Sequence, residues 1–343
     1  MKVDGNLITA LGEVPARVRD LERLGYDGAV SVETSHDPFI PLALAAEHSE
    51  RIELLTAVAI ALARTPMTVA YVANDIQALS GGRLILGLGS QVRAHIERRF
   101  SMPWSHPAAR MREFVCALRA IWDAWCTGNR LDFRGDFYQH TLMTPFFSPG
   151  ANPHGAPRVF LGALGDRMTE VAGEVADGVL VHPMATERFL REHDLPAAER
   201  GLRRAGRGRD GFEIALMPFV VTGVDDAEME SAAEAVRAQI SFYGSTPAYR
   251  PVLELHGWGD VQSELNALSK QGRWLEMPQL IDDGMLQTFA VRATPEELPA
   301  ALGARYVGIA DRVSLHLPFE RDPDRWQAVV RALQAQRSAA MVR

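Results

Sequence analysis

The chain has 343 residues and a net charge of −7, with 47% hydrophobic and 23% charged residues. This ordinary globular balance excludes a disordered chain, a collagen-like repeat and a disulfide-stapled miniprotein. The acidic balance and the lack of a basic stripe argue against nucleic acid as a partner.

In chain order, residues 2–9 read as a strand and Val14–Leu24 as an amphipathic helix, with Val14, Val18, Leu21 and Leu24 on one face and Gly25 ending it. Residues 28–33 form a second strand, followed by the loop Thr34-Ser35-His36-Asp37-Pro38-Phe39 and a helix over 42–49. A long apolar strand covers 52–62. A helix opens at Thr65-Pro66 and runs to Leu79, with proline at a favoured first-turn position. After the turn Ser80-Gly81-Gly82, strand four covers 83–88. A helix over 108–127 leads to a Pro-, Gly- and aromatic-rich loop at 131–157 with room for a small hairpin. Strand five (158–162), a helix (166–176), strand six (179–182), strand seven (212–222) and a helix (225–241) follow. Residues 241–287 break the pattern and read as an insertion. A helix at 295–302, strand eight at 312–317 and a final helix at 323–337 complete the chain.

Length alone predicts about two domains. Eight strands alternating with helices instead predict one α/β domain over 1–343, a (β/α)8 TIM barrel with an insertion before the last strand. Runs such as Ala215-Leu216-Met217-Pro218-Phe219-Val220-Val221 are apolar without alternation, as burial on both faces requires. An open doubly wound sheet would carry G-x-G-x-x-G in its first strand-to-helix turn. The nearest match, Gly87-Leu88-Gly89-Ser90-Gln91-Val92, follows strand four and has valine at the third glycine position.

Cys116 and Cys126 lie ten residues apart in one predicted helix, a rise of ~15 Å, so they cannot pair. Unpaired cysteines suit a reducing cytoplasm. The N-terminus reads as a strand rather than a signal peptide. No uninterrupted apolar run reaches ~18 residues, so no membrane span is expected. All but Lys2 and Lys270 of the 36 basic residues are arginine, which leaves arginine and backbone amides to hold any anionic ligand.

In a barrel of this kind the site lies at the carboxyl ends of the strands. His36 and Asp37 fall there after strand two, Ala57, Val58 and Ala59 in strand three, and Ser90 and Gln91 after strand four. Gly162, Ala163, Leu164 and Gly165 end strand five, His182 ends strand six and His316 lies near the end of strand eight. No metal is expected: the histidines lack His-x-His or H-E-x-x-H spacing and a carboxylate cluster. Packing is the plain alternative for His182 and His316. His36 sits in a polar loop, where an imidazole donates to a ligand or moves a proton, and loop capping is the plain role for Ser35 and Asp37. Neither a G-x-S-x-G elbow nor a Walker-type phosphate loop occurs. The glycines at 162 and 165 let a ring or phosphate approach the backbone closely, and the amides opening the next helix suit a phosphate. Asp166, the expected N-cap, opposes an anion at that helix end, and Arg167 offsets it.

Five stretches carry a family resemblance: ETSHDPFIPLALAAEHS, RIELLTAVAIALARTPMTVA, SGGRLILGLGSQVRAHIERRF, VFLGALGDRMTEVAGEVADGVLVHP and VRATPEELPAALGARY. Together the chain resembles the bacterial luciferase-like monooxygenase superfamily, and within it the members that use the deazaflavin coenzyme F-420. The resemblance implies a barrel with an insertion, usually dimeric, binding a flavin or deazaflavin at the strand ends. It implies that His36-Asp37 border the ring and that Ala57-Val58-Ala59, often a bulge with a non-prolyl cis peptide, back it. Ser90 and Gln91 then contact its pyrimidine side or the substrate and Gly162 to Gly165 the ribityl and phosphate, while His182-Pro183 match the family's segment after strand six, which makes His182 a further cofactor-binding candidate. Sugar-phosphate dehydrogenases of the superfamily carry a glutamate after strand four, a tryptophan soon after the strand-two histidine, and phosphate-binding lysines. Here Ser90 and Pro38-Phe39 stand instead, so a sugar phosphate is not expected.

The insertion contains Phe242, Tyr243, Tyr249, Trp258, Trp274 and Met277, which either line a substrate pocket or pack on the barrel or a partner. The expected activity is hydride transfer between coenzyme F-420 and a small organic substrate by a cytoplasmic homodimer. The alternatives are an FMN-dependent monooxygenase and a cofactor-binding protein without turnover.

Overall fold

The computed structural model describes residues 1–315 and 323–340. Eight parallel strands close into a barrel: β1 (Lys2–Asn6), β2 (Gly28–Ser31), β3 (Glu53–Thr56), β4 (Leu84–Gly89), β5 (Arg158–Ala163), β6 (Gly178–Val181), β7 (Glu213–Leu216) and β8 (Arg312–Ser314). Each pairs with its neighbours in sequence, and β8 pairs with β1, Lys2 opposite Arg312. This is the TIM barrel expected from the alternation.

The local rules act as the sequence implies. Gly25 ends helix Val14–Leu24 at φ 88°, a value that favours glycine. Thr65 caps helix Pro66–Leu79, its hydroxyl accepting from the Thr68 amide at 3.2 Å. The loop at 131–157 holds a small antiparallel hairpin, Phe133–Arg134 with Gln139–His140. Cys116 and Cys126 are both free.

One apolar cluster fills the barrel, with Val30, Leu55, Ile85, Phe160 and Ala215 contributed by five strands. A larger cluster lies between the barrel and its helices. The amino-terminal end of the barrel strands is charged. Arg312 is wholly buried, its Nε 3.2 Å from the equally buried Asp4, and it also pairs with Glu53.

Two expected strands are broken, the first of them at Ala57-Val58-Ala59, where the family resemblance implied a bulge with a cis peptide. The run 52–62 stops at Thr56, passes the cis peptide Ala57–Val58, resumes at Ala59–Ile60 and ends in a 3-10 turn at Ala61–Ala63. The run 212–222 breaks at Met217-Pro218, where proline cannot donate to a ladder. Phe219–Val221 leaves the barrel to pair with Ala290–Arg292. Of the eighth strand, Arg312–Ser314 is formed, and His316 lies outside the described residues.

The insertion is helical. Helix Asp226–Gly244 runs into it, and Arg250–Leu255, Gly259–Lys270 and Asp283–Phe289 follow. Their buried faces, including Val252, Leu265, Met285 and Phe289, form a second core with Phe219 and Val221. Glu187–Arg204, where no element was expected, is also largely helical and includes a π turn at Leu190–Asp194. No helix among the described residues is long and apolar enough to cross a membrane.

Candidate active site

The loop after β2 is tied down by charge. Arg64 donates to Glu33 at 2.6 Å and to Asp37 at 2.8 Å, and Glu33 also accepts from the Ile60 amide at 2.7 Å. The Asp37 Oδ1 accepts from the Phe39 amide at 2.9 Å, so this carboxylate holds the start of helix Phe39–Glu47. His36 is exposed and its side chain has no hydrogen bond among the described residues. The loop is therefore held by Asp37, while His36 stays free to meet a ligand. Glu33 and Arg64 carried no motif and were not foreseen.

Strands three, four and five meet at Val58. A Cβ on Gly89 would lie 2.5 Å from Val58 Cγ2, and one on Gly162 would lie 2.9 Å from Val58 Cγ1. These two glycines thus make room for a protein side chain, a nearer cause than the ligand approach expected of Gly162. Ala57 and Val58 remain partly exposed, whereas Ala59 is buried. The result is an uncharged apolar floor.

Ser90 and Gln91 follow β4 and satisfy themselves locally. The Ser90 hydroxyl donates to the Gln91 carbonyl at 3.1 Å, and the Gln91 side-chain oxygen accepts from the Val92 amide at 2.9 Å. Gln91 has φ 59°, an uncommon value for a non-glycine residue.

At the end of β5, Gly165 rather than Asp166 is the N-cap of helix Asp166–Val175. Its φ of 80° and ψ of 162° are open to glycine alone, so the cap position goes to the residue that can adopt them. The Gly165 amide donates to Asp194 Oδ1 at 3.0 Å, as does the Thr169 hydroxyl at 3.1 Å. Burial pushes the Asp194 carboxyl up to about 7, against these two hydrogen bonds. Asp166 pairs with His193 and Arg200, each at 3.5 Å. A phosphate here would meet one exposed carboxylate already paired with the Arg200 guanidinium and one that is neutral at mildly acidic pH.

His182 follows β6, and its amide donates to the Ala163 carbonyl at 3.2 Å. Its ring stacks on Tyr249 at 4.4 Å and meets the edge of Tyr243 at 4.9 Å. The insertion therefore lies over this strand end. Of its other aromatics, Trp258 packs on Phe289, Met277 is buried, and Phe242 and Trp274 touch each other at the surface. The pairing of His182 with Tyr249 had no sequence signal, since 67 residues separate them. Among the described residues, no group of three or more His, Cys, Asp or Glu side chains is placed to hold a metal ion.

Comparison with known proteins bears on the fold and the family. The solved structure of a coenzyme F-420 dependent tetrahydromethanopterin reductase from Methanopyrus kandleri superposes with a TM-score of 0.76, covering 98% of this chain and 97% of that one at 19% identity. At that identity the likeness is one of fold. An uncharacterized protein of Mycobacterium tuberculosis is 56% identical over 313 residues, 91% of this chain and 92% of its own length. An F-420-dependent glucose-6-phosphate dehydrogenase of Intrasporangium calvum is 31% identical over 208 residues, 56% of this chain and 60% of its own length. Residues 2–312 match the luciferase-like monooxygenase family, and the chain belongs to it.

Proposed function

We propose that the protein is an oxidoreductase that uses coenzyme F-420 to move hydride to or from a small organic substrate. The observation that carries this reading is the floor of Val58 over Gly89 and Gly162, an apolar, uncharged surface at the carboxyl ends of three strands. An uncharged ring fits such a surface, and the F-420-dependent relative supports the deazaflavin as that ring. When bound, the deazaflavin supplies the hydride chemistry, and the protein supplies binding, orientation and exclusion of water.

Ala57, Val58 and Ala59 would back the ring. Leu164 and Gly165 would border its tail, beside the first amides of helix Asp166–Val175, which have no intrahelical partners. Ser90 and Gln91 would hold the rim after β4. His36, free on a loop anchored by Asp37 and Arg64, would orient the ring or move a proton at its imidazole nitrogen. The substrate is not expected to be a sugar phosphate, because Ser90 and Pro38-Phe39 stand where those dehydrogenases carry glutamate and tryptophan.

Titration of the purified protein with coenzyme F-420 and with FMN, followed by quenching of tryptophan fluorescence, tests the reading. The expected result is F-420 binding at least tenfold tighter than FMN. Binding of FMN without F-420 would sink the proposal in favour of the monooxygenase alternative. His36→Ala should weaken F-420 binding with the melting temperature unchanged, because the side chain makes no internal contact that folding depends on.

A further inference from the structure

We infer that His182, Tyr243 and Tyr249 form the substrate-selecting wall of the site, and that this wall takes an uncharged, ring-bearing substrate whose oxygen receives a hydrogen bond from the Tyr249 hydroxyl. The inference rests on the proposed function for the location of the site, but its chemistry comes from the three side chains themselves.

The Met184 amide donates to His182 Nδ1 at 3.2 Å, so Nδ1 carries no proton. A neutral imidazole then has its proton on Nε2, which lies 3.0 Å from Tyr249 Oη. The ring is neutral at pH 7, because burial pushes His182 down to about 4. His182 Nε2–H therefore donates and Tyr249 Oη accepts. The tyrosine's own hydroxyl proton is left without an acceptor among the described residues. His182, Tyr243 and Tyr249 are each half-buried as residues rather than fully enclosed.

Charge is missing from the wall. Among the described residues, His182, Tyr243 and Tyr249 make no ion pair and no hydrogen bond to a charged side chain, and the partner of Tyr243 is the neutral Gln239. A carboxylate or phosphate placed here would lose water without gaining a counter-charge. A flat neutral molecule loses little and gains ring contacts with Tyr243 and Tyr249, whose rings stand 6.2 Å apart at 86°. One oxygen acceptor on such a molecule completes the hydrogen-bond chain from Met184 through His182 and Tyr249.

Calorimetric titration with acetophenone, benzoate and toluene, on cofactor-free and F-420-loaded protein, tests this. Acetophenone should bind at least tenfold tighter than benzoate. Tyr249→Phe keeps the ring stacked on His182 and removes the hydroxyl. It should weaken acetophenone about fivefold, the worth of one neutral hydrogen bond, and leave toluene unchanged. Nitrogen-15 spectra of the histidines should show His182 protonated on Nε2 at pH 7. The inference is overturned if acetophenone does not bind the wild type, if benzoate matches it, if the variant shifts acetophenone and toluene equally, or if Nδ1 carries the proton. Failure of F-420 to bind would remove the proposed cofactor while the cofactor-free ratios still decide the wall.

Discussion

Asp194 shows how a single side chain escapes a reading of sequence. Nothing local marks it, yet it is 2% exposed and accepts from Gly165 and Thr169. Its carboxyl titrates near 3.8 when free and is pushed up to about 7 by burial. Between those values the folded protein holds a proton that the unfolded chain has released. Stability therefore falls as pH rises through that window and levels off above about 7. Asp194→Asn keeps the acceptor oxygen and removes the titration. It should flatten the stability profile between pH 5 and 8 and be more stable than wild type at pH 8 by about 4 kcal/mol. Urea melts at both pH values check this, and parallel profiles for the two proteins would contradict it. His36 and Asp37, by contrast, were legible as loop residues, because a polar pair after a buried strand stands out in sequence. Their division of labour was not, because the Arg64 that engages Asp37 comes from the far side of the next strand.

At the scale of elements, helices and strands were legible wherever local chemistry decides them. Apolar spacing sets the buried face of Val14–Leu24, and Thr65-Pro66 opens its helix. The two broken strands mark the limit of that logic. Pro218 interrupts an otherwise continuous apolar run, and proline has no amide to give to the ladder. The break after Thr56 has no such residue, and its partners lie on two other strands. Gly89 makes that coupling testable. A Cβ there meets Val58 Cγ2 at 2.5 Å, so Gly89→Ala must displace Val58. Overpacking of this kind costs about 1–3 kcal/mol. The variant should lose that much stability in urea and should bind F-420 more weakly in the quenching titration. Gly12→Ala meets no atom within 4 Å and should stay within about 0.5 kcal/mol of wild type in the same measurements.

Across the whole molecule, the barrel is closed at one end by charge and covered at the other by the insertion. Arg312 is shared by the buried Asp4 and by Glu53, while Lys2 and Arg158 add further pairs to Glu53 and Glu213. Burial pushes Asp4 up to about 6 despite the arginine. Burial also works against the Glu53 charge, but Arg312, Lys2 and Arg158 outweigh it and hold that carboxyl below its ordinary range. Arg312→Met would strip a buried carboxylate of its partner, at a cost of about 3–5 kcal/mol. The loss should be larger at pH 8 than at pH 5, where Asp4 takes up a proton and needs no cation. Chemical denaturation at the two pH values reads this directly, and an equal loss at both would contradict the assignment.

Apolar runs, turn glycines and helix-opening prolines are local in the chain, and by themselves they determined eight strands and the barrel, from which a site at the strand ends is expected. They also marked 241–287 as foreign to the repeat. Only the tertiary structure decided what those strand ends present. Val58 finds Gly89 and Gly162 on neighbouring strands, Asp194 finds the Gly165 amide, and Tyr249 of the insertion reaches His182 across 67 residues. Each of these contacts joins segments whose separation along the chain bears no relation to helix or strand periodicity. They arise when the barrel closes and the insertion packs its own core against it.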